Sequence, residues 1–97
     1  TLDPGSSQVI ERELLVANKL GLHARATAKL VQLLSGYRSG ATLAAKGREV
    51  NAKSIMGVML LAAGQGTPVT LRVDGEDEAE AAAAVSELFE RLFDEGG

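Results

Sequence analysis

The chain contains a single histidine, His23, within the run Gly21-Leu22-His23-Ala24-Arg25. An apolar stripe at helical spacing follows it, at Thr27 (through its methyl), Leu30, Val31 and Leu34, with Leu33 adding width. That pattern places His23 at the start of a helix. The first N–H groups of a helix lack intrahelical partners, and with the helix dipole they favour an anion. The same field disfavours a positively charged ring and leaves a ring nitrogen with a lone pair to act as a nucleophile. A phosphoryl group on that nitrogen would bring roughly two negative charges. It would meet the helix N-terminus and Arg25, whose planar guanidinium matches phosphate oxygens. A non-covalent anion site or a plain capping histidine would use the same residues at the same spacing. Spacing alone leaves all three readings open.

A second segment of interest is Asn51-Ala52-Lys53-Ser54-Ile55-Met56-Gly57-Val58-Met59. Ser54 stands where a helix N-cap belongs, ahead of a short apolar helix ending at Leu61. Ile55, Met56 and Met59 fall at i, i+1 and i+4, so some of them are expected to pack into the core. Two methionines close together also make an adaptable apolar surface, suited to several unrelated partners.

These sites need elements to hold them. Val9 to Val16 reads as a strand of imperfect alternation, broken by Asn18-Lys19-Leu20-Gly21. The first helix spans Ala24 to Ser35, with Gly36 as its stop. Ala41 to Ala45 and Arg48 to Ala52 are strands joined by a hairpin turn at Lys46-Gly47. After the Ser54–Leu61 helix, Thr67 to Val73 alternates Val69, Leu71 and Val73 with Thr70 and Arg72, a half-buried strand. Asp74-Gly75 turns the chain, and acidic residues 76 to 80 lead a last helix, where negative charge suits the N-terminal end. Its inward stripe is Ala81, Val85, Leu88, Phe89 and Leu92. The order β-α-β-β-α-β-α predicts an α+β fold: an open-faced two-layer sandwich, with a four-stranded antiparallel sheet and three helices on one face.

Composition narrows the functional classes. The 97 residues suffice for one domain and not for two. With only Tyr37, Phe89 and Phe93 aromatic, the core must be built from Leu, Val, Ile and Ala. A net charge of −3 without a basic cluster argues against nucleic acid as a partner. The absence of cysteine excludes disulfide and thiol chemistry and fits a reducing compartment, so the cytoplasm is expected. One histidine and no cysteine make a structural zinc site improbable, and neither metal nor cofactor is expected. No apolar run approaches the roughly 18 residues that would insert into a membrane. Residues 1–7 (TLDPGSS) read as a loop, a disordered linker or a cloning remnant, leaving 8–95 as the domain.

The run Gly21-Leu22-His23-Ala24-Arg25, continued by Ala28-Lys29-Leu30, combines with the Asn51–Met59 segment into two motifs in order. Together they resemble the HPr family, the histidine-containing phosphocarriers of the bacterial sugar phosphotransferase system. The resemblance runs from about Ile10 to Phe93, and takes in Gly66-Thr67 and Gly75-Glu76-Asp77-Glu78. It implies that His23 is phosphorylated on Nδ1 by phospho-enzyme I and passes the group to sugar-specific A components. It also implies that Arg25 steadies the phosphate, and that Ser54 is a regulatory site for an HPr kinase/phosphorylase where one exists. Met56 and Met59 would lie beside His23, with Ala28 and Gln32 completing a partner-binding face together with Ile55, rimmed by Arg25 and Lys53. The family usually has proline after the arginine, where this chain has Ala26. The expected molecule is a monomeric phosphoryl carrier rather than a turnover enzyme. Two alternatives are a regulatory binding module controlled through Ser54 and a carrier domain of a nitrogen-branch or multi-domain phosphotransferase.

Overall fold

The computed structural model describes residues 9–94, so the lead-in expected at 1–7 lies outside the described residues. Strand β1 (Ile10–Leu15) precedes helix α1 (Ala24–Ser35), the hairpin of β2 (Gly40–Ala45) and β3 (Arg48–Asn51), and helix α2 (Ile55–Leu60). Strand β4 (Pro68–Asp74), helix α3 (Glu78–Glu90) and a 3-10 turn (Leu92–Asp94) follow. The strands form one antiparallel sheet in the order β1-β4-β2-β3. The expected α+β architecture and element order are the ones observed.

Alternation along β4 sets the layers. Val69, Leu71 and Val73 are buried, whereas Thr70 and Arg72 face the other side. Register extends the inner face into β2, because Leu43 pairs with Leu71 and Ala41 with Val73. Ala26, Leu30 and Leu34 of α1, Val58 of α2, and Ala81, Val85, Leu88 and Phe89 of α3 complete the core with this face. The sheet's other side stays open and polar, with Arg72 bonded to Glu11 at 2.7 Å and 3.7 Å from Glu49. The β2–β3 turn has positive φ at both Lys46 and Gly47 (54° and 78°), the type I′ pattern whose twist matches paired strands.

Strand and helix ends differ from the sequence reading by a residue, because pairing outlasts regular geometry. Val16 lies beyond β1, yet its N–H donates to the Thr67 carbonyl at 3.0 Å; Ala52, past β3, donates to Ala41 at 2.9 Å. The last helix requires a larger correction. It ends at Glu90, and Leu92 is half-buried outside it rather than on its inward stripe. Leu92, Phe93 and Asp94 all have left-handed φ values near 55–61°, which turns the chain back on itself. Phe93 enters the core in place of Leu92 and meets Phe89 with ring centroids 4.8 Å apart.

Candidate functional site

His23 is half-buried and extended (φ −81°, ψ −175°) at the N-cap of α1. Its Nδ1 accepts a hydrogen bond from the Arg25 backbone N–H at 3.3 Å. The histidine carbonyl starts the helix by accepting from Thr27 N–H at 2.9 Å, while the Thr27 hydroxyl holds the Leu22 carbonyl at 3.2 Å. Ala24 and Arg25 are exposed, Ala26 is fully buried, and the Arg25 guanidinium has no hydrogen-bond or ion-pair partner among the described residues. A ring nitrogen and an exposed cation therefore lie two residues apart at a helix start.

The loop before His23 is braced from two sides. Asn18, fully buried, donates from its side-chain amide to the Gly21 carbonyl at 2.9 Å, and Gly21 N–H returns a bond to the Asn18 carbonyl at 3.1 Å. Leu22 N–H donates to the carbonyl of Ala63, in the loop following α2, at 2.8 Å. Sequence reasoning treated Asn18 only as part of a strand breaker. Next to Lys19 and ahead of Gly21 it reads as an ordinary turn former, and both its burial and its partner are visible only in three dimensions.

Helix α2 supplies a second cap and an apolar face. The Ser54 hydroxyl accepts from Gly57 N–H at 3.1 Å, as an N-cap should. Because the loop after α2 touches Leu22, Ser54 sits at the far end of the helix, about 9 Å along six residues. The two chemistry-bearing side chains thus occupy separate places. Ile55, Met56 and Met59 were expected to contribute partly to the core, and none does; they are 45%, 77% and 44% exposed. Val58 and Leu61 carry the packing instead, because only they fall on the face turned to α1 and the sheet. Leu60 and Leu20, which the sequence reading passed over, are also widely exposed.

The expected rim of this surface changes too. Lys53 is half-buried, and its amine donates to the Tyr37 carbonyl just past α1 at 2.8 Å, so it fastens the two helices rather than standing free beside the methionines. Ala28 and Gln32 are exposed on α1. Gln32 also lines a shallow groove with Lys29 and Leu33, opposite Leu88, Arg91 and Asp94 near the end of α3. Residues 14–48 and 50–73 contain no carboxylate, so α1, α2 and their connecting loops form a basic and apolar side.

A family model described as the PTS HPr component phosphorylation site matches residues 10–91. The chain belongs to the HPr family. The HPr phosphocarrier of Xylella fastidiosa strain 9a5c is 68% identical over 87 residues, covering 90% of this chain and 98% of the relative. That of Cupriavidus necator is 52% identical over 88 residues, covering 91% and 99%. An HPr crystal structure from Thermoanaerobacter tengcongensis superposes with a TM-score of 0.86 at 43% identity, covering 89% of this chain and 97% of that one. As an HPr, the chain is a phosphocarrier of the phosphotransferase system. Among the described residues, no helix is long and apolar enough to cross a membrane.

Proposed function

We propose that His23 is the phosphoryl acceptor of this carrier, taking the group on Nδ1 from phospho-enzyme I and passing it to sugar-specific A components in the cytoplasm. The observation that carries this reading is His23 at the α1 N-cap, with Nδ1 accepting from the first-turn N–H of Arg25. The nitrogen lone pair attacks phosphorus as the bond to the donor breaks, and the electron pair returns to the donor. Arg25 N–H and guanidinium then meet the charge that arrives. Reversal onto the next acceptor needs no proton held by the carrier and no closed pocket.

Ile55, Met56 and Met59, with Ala28 and Gln32, serve as the docking face. The absence of any carboxylate from residues 50–73 favours acidic partners at Ile55, Met56 and Met59, and the modest apolar area suits a complex that must release. Ser54 is the regulatory site. Phosphorylation there takes the hydroxyl from its cap and adds negative charge at the edge of the same face, which repels an acidic partner.

The decisive experiment incubates the purified chain with enzyme I and phosphoenolpyruvate. One acid-labile phosphate per chain is expected, and none on the His23→Ala variant. Equal labelling of that variant sinks the assignment.

A further inference from the structure

We propose that the backbone N–H of Ala26 is an additional donor to the phosphoryl group on His23, acting beside the N–H and guanidinium of Arg25. This rests on His23 being the acceptor.

The starts of α1 and α2 differ in one respect. In α2 the capping side chain takes the third helical N–H, since Ser54 accepts from Gly57. In α1 the capping ring takes the second, since His23 accepts from Arg25. The third N–H of α1 belongs to Ala26. It has no hydrogen-bond partner among the described residues, because the first helical bond begins one residue later at Thr27. Ala26 is also 0% exposed, so its donor is shielded from solvent. Buried N–H groups without a partner are rare and costly. This one lies a single residue beyond the group that meets Nδ1.

Phosphorylation supplies what that donor lacks. The Nδ1 lone pair becomes the N–P bond, the bond between phosphorus and the donor breaks, and its pair leaves with the donor. Nδ1 then no longer accepts, and Arg25 N–H is released to a phosphoryl oxygen. With three oxygens sharing about two negative charges in place of one nitrogen, the group has acceptors for the second and third helical donors together. N-cap acceptors ordinarily serve one or other of these positions. The Ala26 N–H thereby stabilises the phosphorylated state and is nearly silent in the unphosphorylated one.

The test uses the full chain, phosphorylated by enzyme I and phosphoenolpyruvate and followed by nitrogen–proton NMR. The Ala26 amide proton is expected to move downfield and to show scalar coupling to phosphorus across the hydrogen bond. A second arm lets variants compete for a limited phosphoryl pool. Ala26→Pro, which removes the N–H while keeping a helical φ, is expected to retain roughly tenfold less than the parent, as for one charge-assisted hydrogen bond. Ala26→Gly keeps the N–H and is expected to stay close to the parent, which separates donation from packing. Phosphate on His23 with an unmoved, uncoupled Ala26 amide overturns the inference and leaves the acceptor assignment standing. Equal partition to a folded Ala26→Pro variant does the same. Phosphate found only elsewhere overturns both.

Discussion

Gly21 shows how much of the site depends on one residue without a side chain. Its φ is +70°, and a Cβ there would lie 2.6 Å from the Ala63 carbonyl oxygen and 2.7 Å from the Gly64 Cα. Both obstacles are backbone, so no rotamer change relieves them. The left-handed conformation alone costs an L-residue about 1–2 kcal/mol, and overlap adds to it. Gly21→Ala is therefore expected to lower stability by more than about 2 kcal/mol in thermal or urea unfolding. It should also slow phosphorylation of whatever remains folded, because the clash pushes apart the loops that aim His23. Arg25 is the opposite case. Exposed and unpaired among the described residues, it contributes little to the fold. Arg25→Ala should leave stability within about 0.5 kcal/mol while slowing transfer, a split that unfolding and labelling rates read separately.

At the scale of elements, the helices are held to the sheet by a few polar clips. Asp77, at the start of α3, does not cap its own helix. Its carboxylate accepts from the Ser39 hydroxyl and from the N–H groups of Arg38 and Ser39, both at 2.9 Å, tying α3 to the entry of β2. The Ser39 hydroxyl bond is the main cause that holds this carboxyl down from 3.8 to about 2, followed by the Arg38 N–H, with burial opposing them. A depressed carboxyl stabilises the fold above its ordinary pKa, and loses that contribution as pH falls through the folded value. The clip should act fully at neutral pH and fade between pH 3.8 and about 2. Asp77→Asn is expected to unfold more readily than the parent at pH 7, with the gap closing across that window. Unfolding midpoints measured at a series of pH values check this; a gap that stays constant would exclude the clip.

The whole molecule is polarised. Carboxylates occupy the open sheet face (Glu11, Glu13, Glu49) and α3, whereas α1 and α2 themselves carry none and expose Arg25, Met56, Met59 and Leu60. On the proposed function, such a division would steer an acidic partner to the helical side and let an apolar contact finish the encounter. Met56→Asp tests it with little risk to the fold, since the side chain is 77% exposed and an acid in the first turn of α2 suits the helix dipole. Transfer from enzyme I should slow, and unfolding should be nearly unchanged. Raising salt should slow transfer to the parent as well, because the steering charges are exposed.

The element order, the fold class, His23 at a helix start and Ser54 as a cap were legible in the sequence. Each rests on a local rule: alternation in strands, three-to-four spacing in helices, and small polar or glycine residues at their ends. The apolar residues of α2 were legible as a group, but which of them stay exposed was not. Whether Ile55, Met56 and Met59 face in or out depends on where α1 and the sheet lie, and Val58 and Leu61 take the inward positions. The brace of Leu22 on Ala63, the anchoring of Lys53 at Tyr37, the hold of Asp77 on Ser39 and the exchange of Leu92 for Phe93 were likewise decided by tertiary structure. They join backbone groups and side chains whose separation along the chain bears no relation to their distance in space. A donor finds its acceptor only after the layers have packed, so sequence could place a histidine at a helix end and only the fold could brace the loop that holds it.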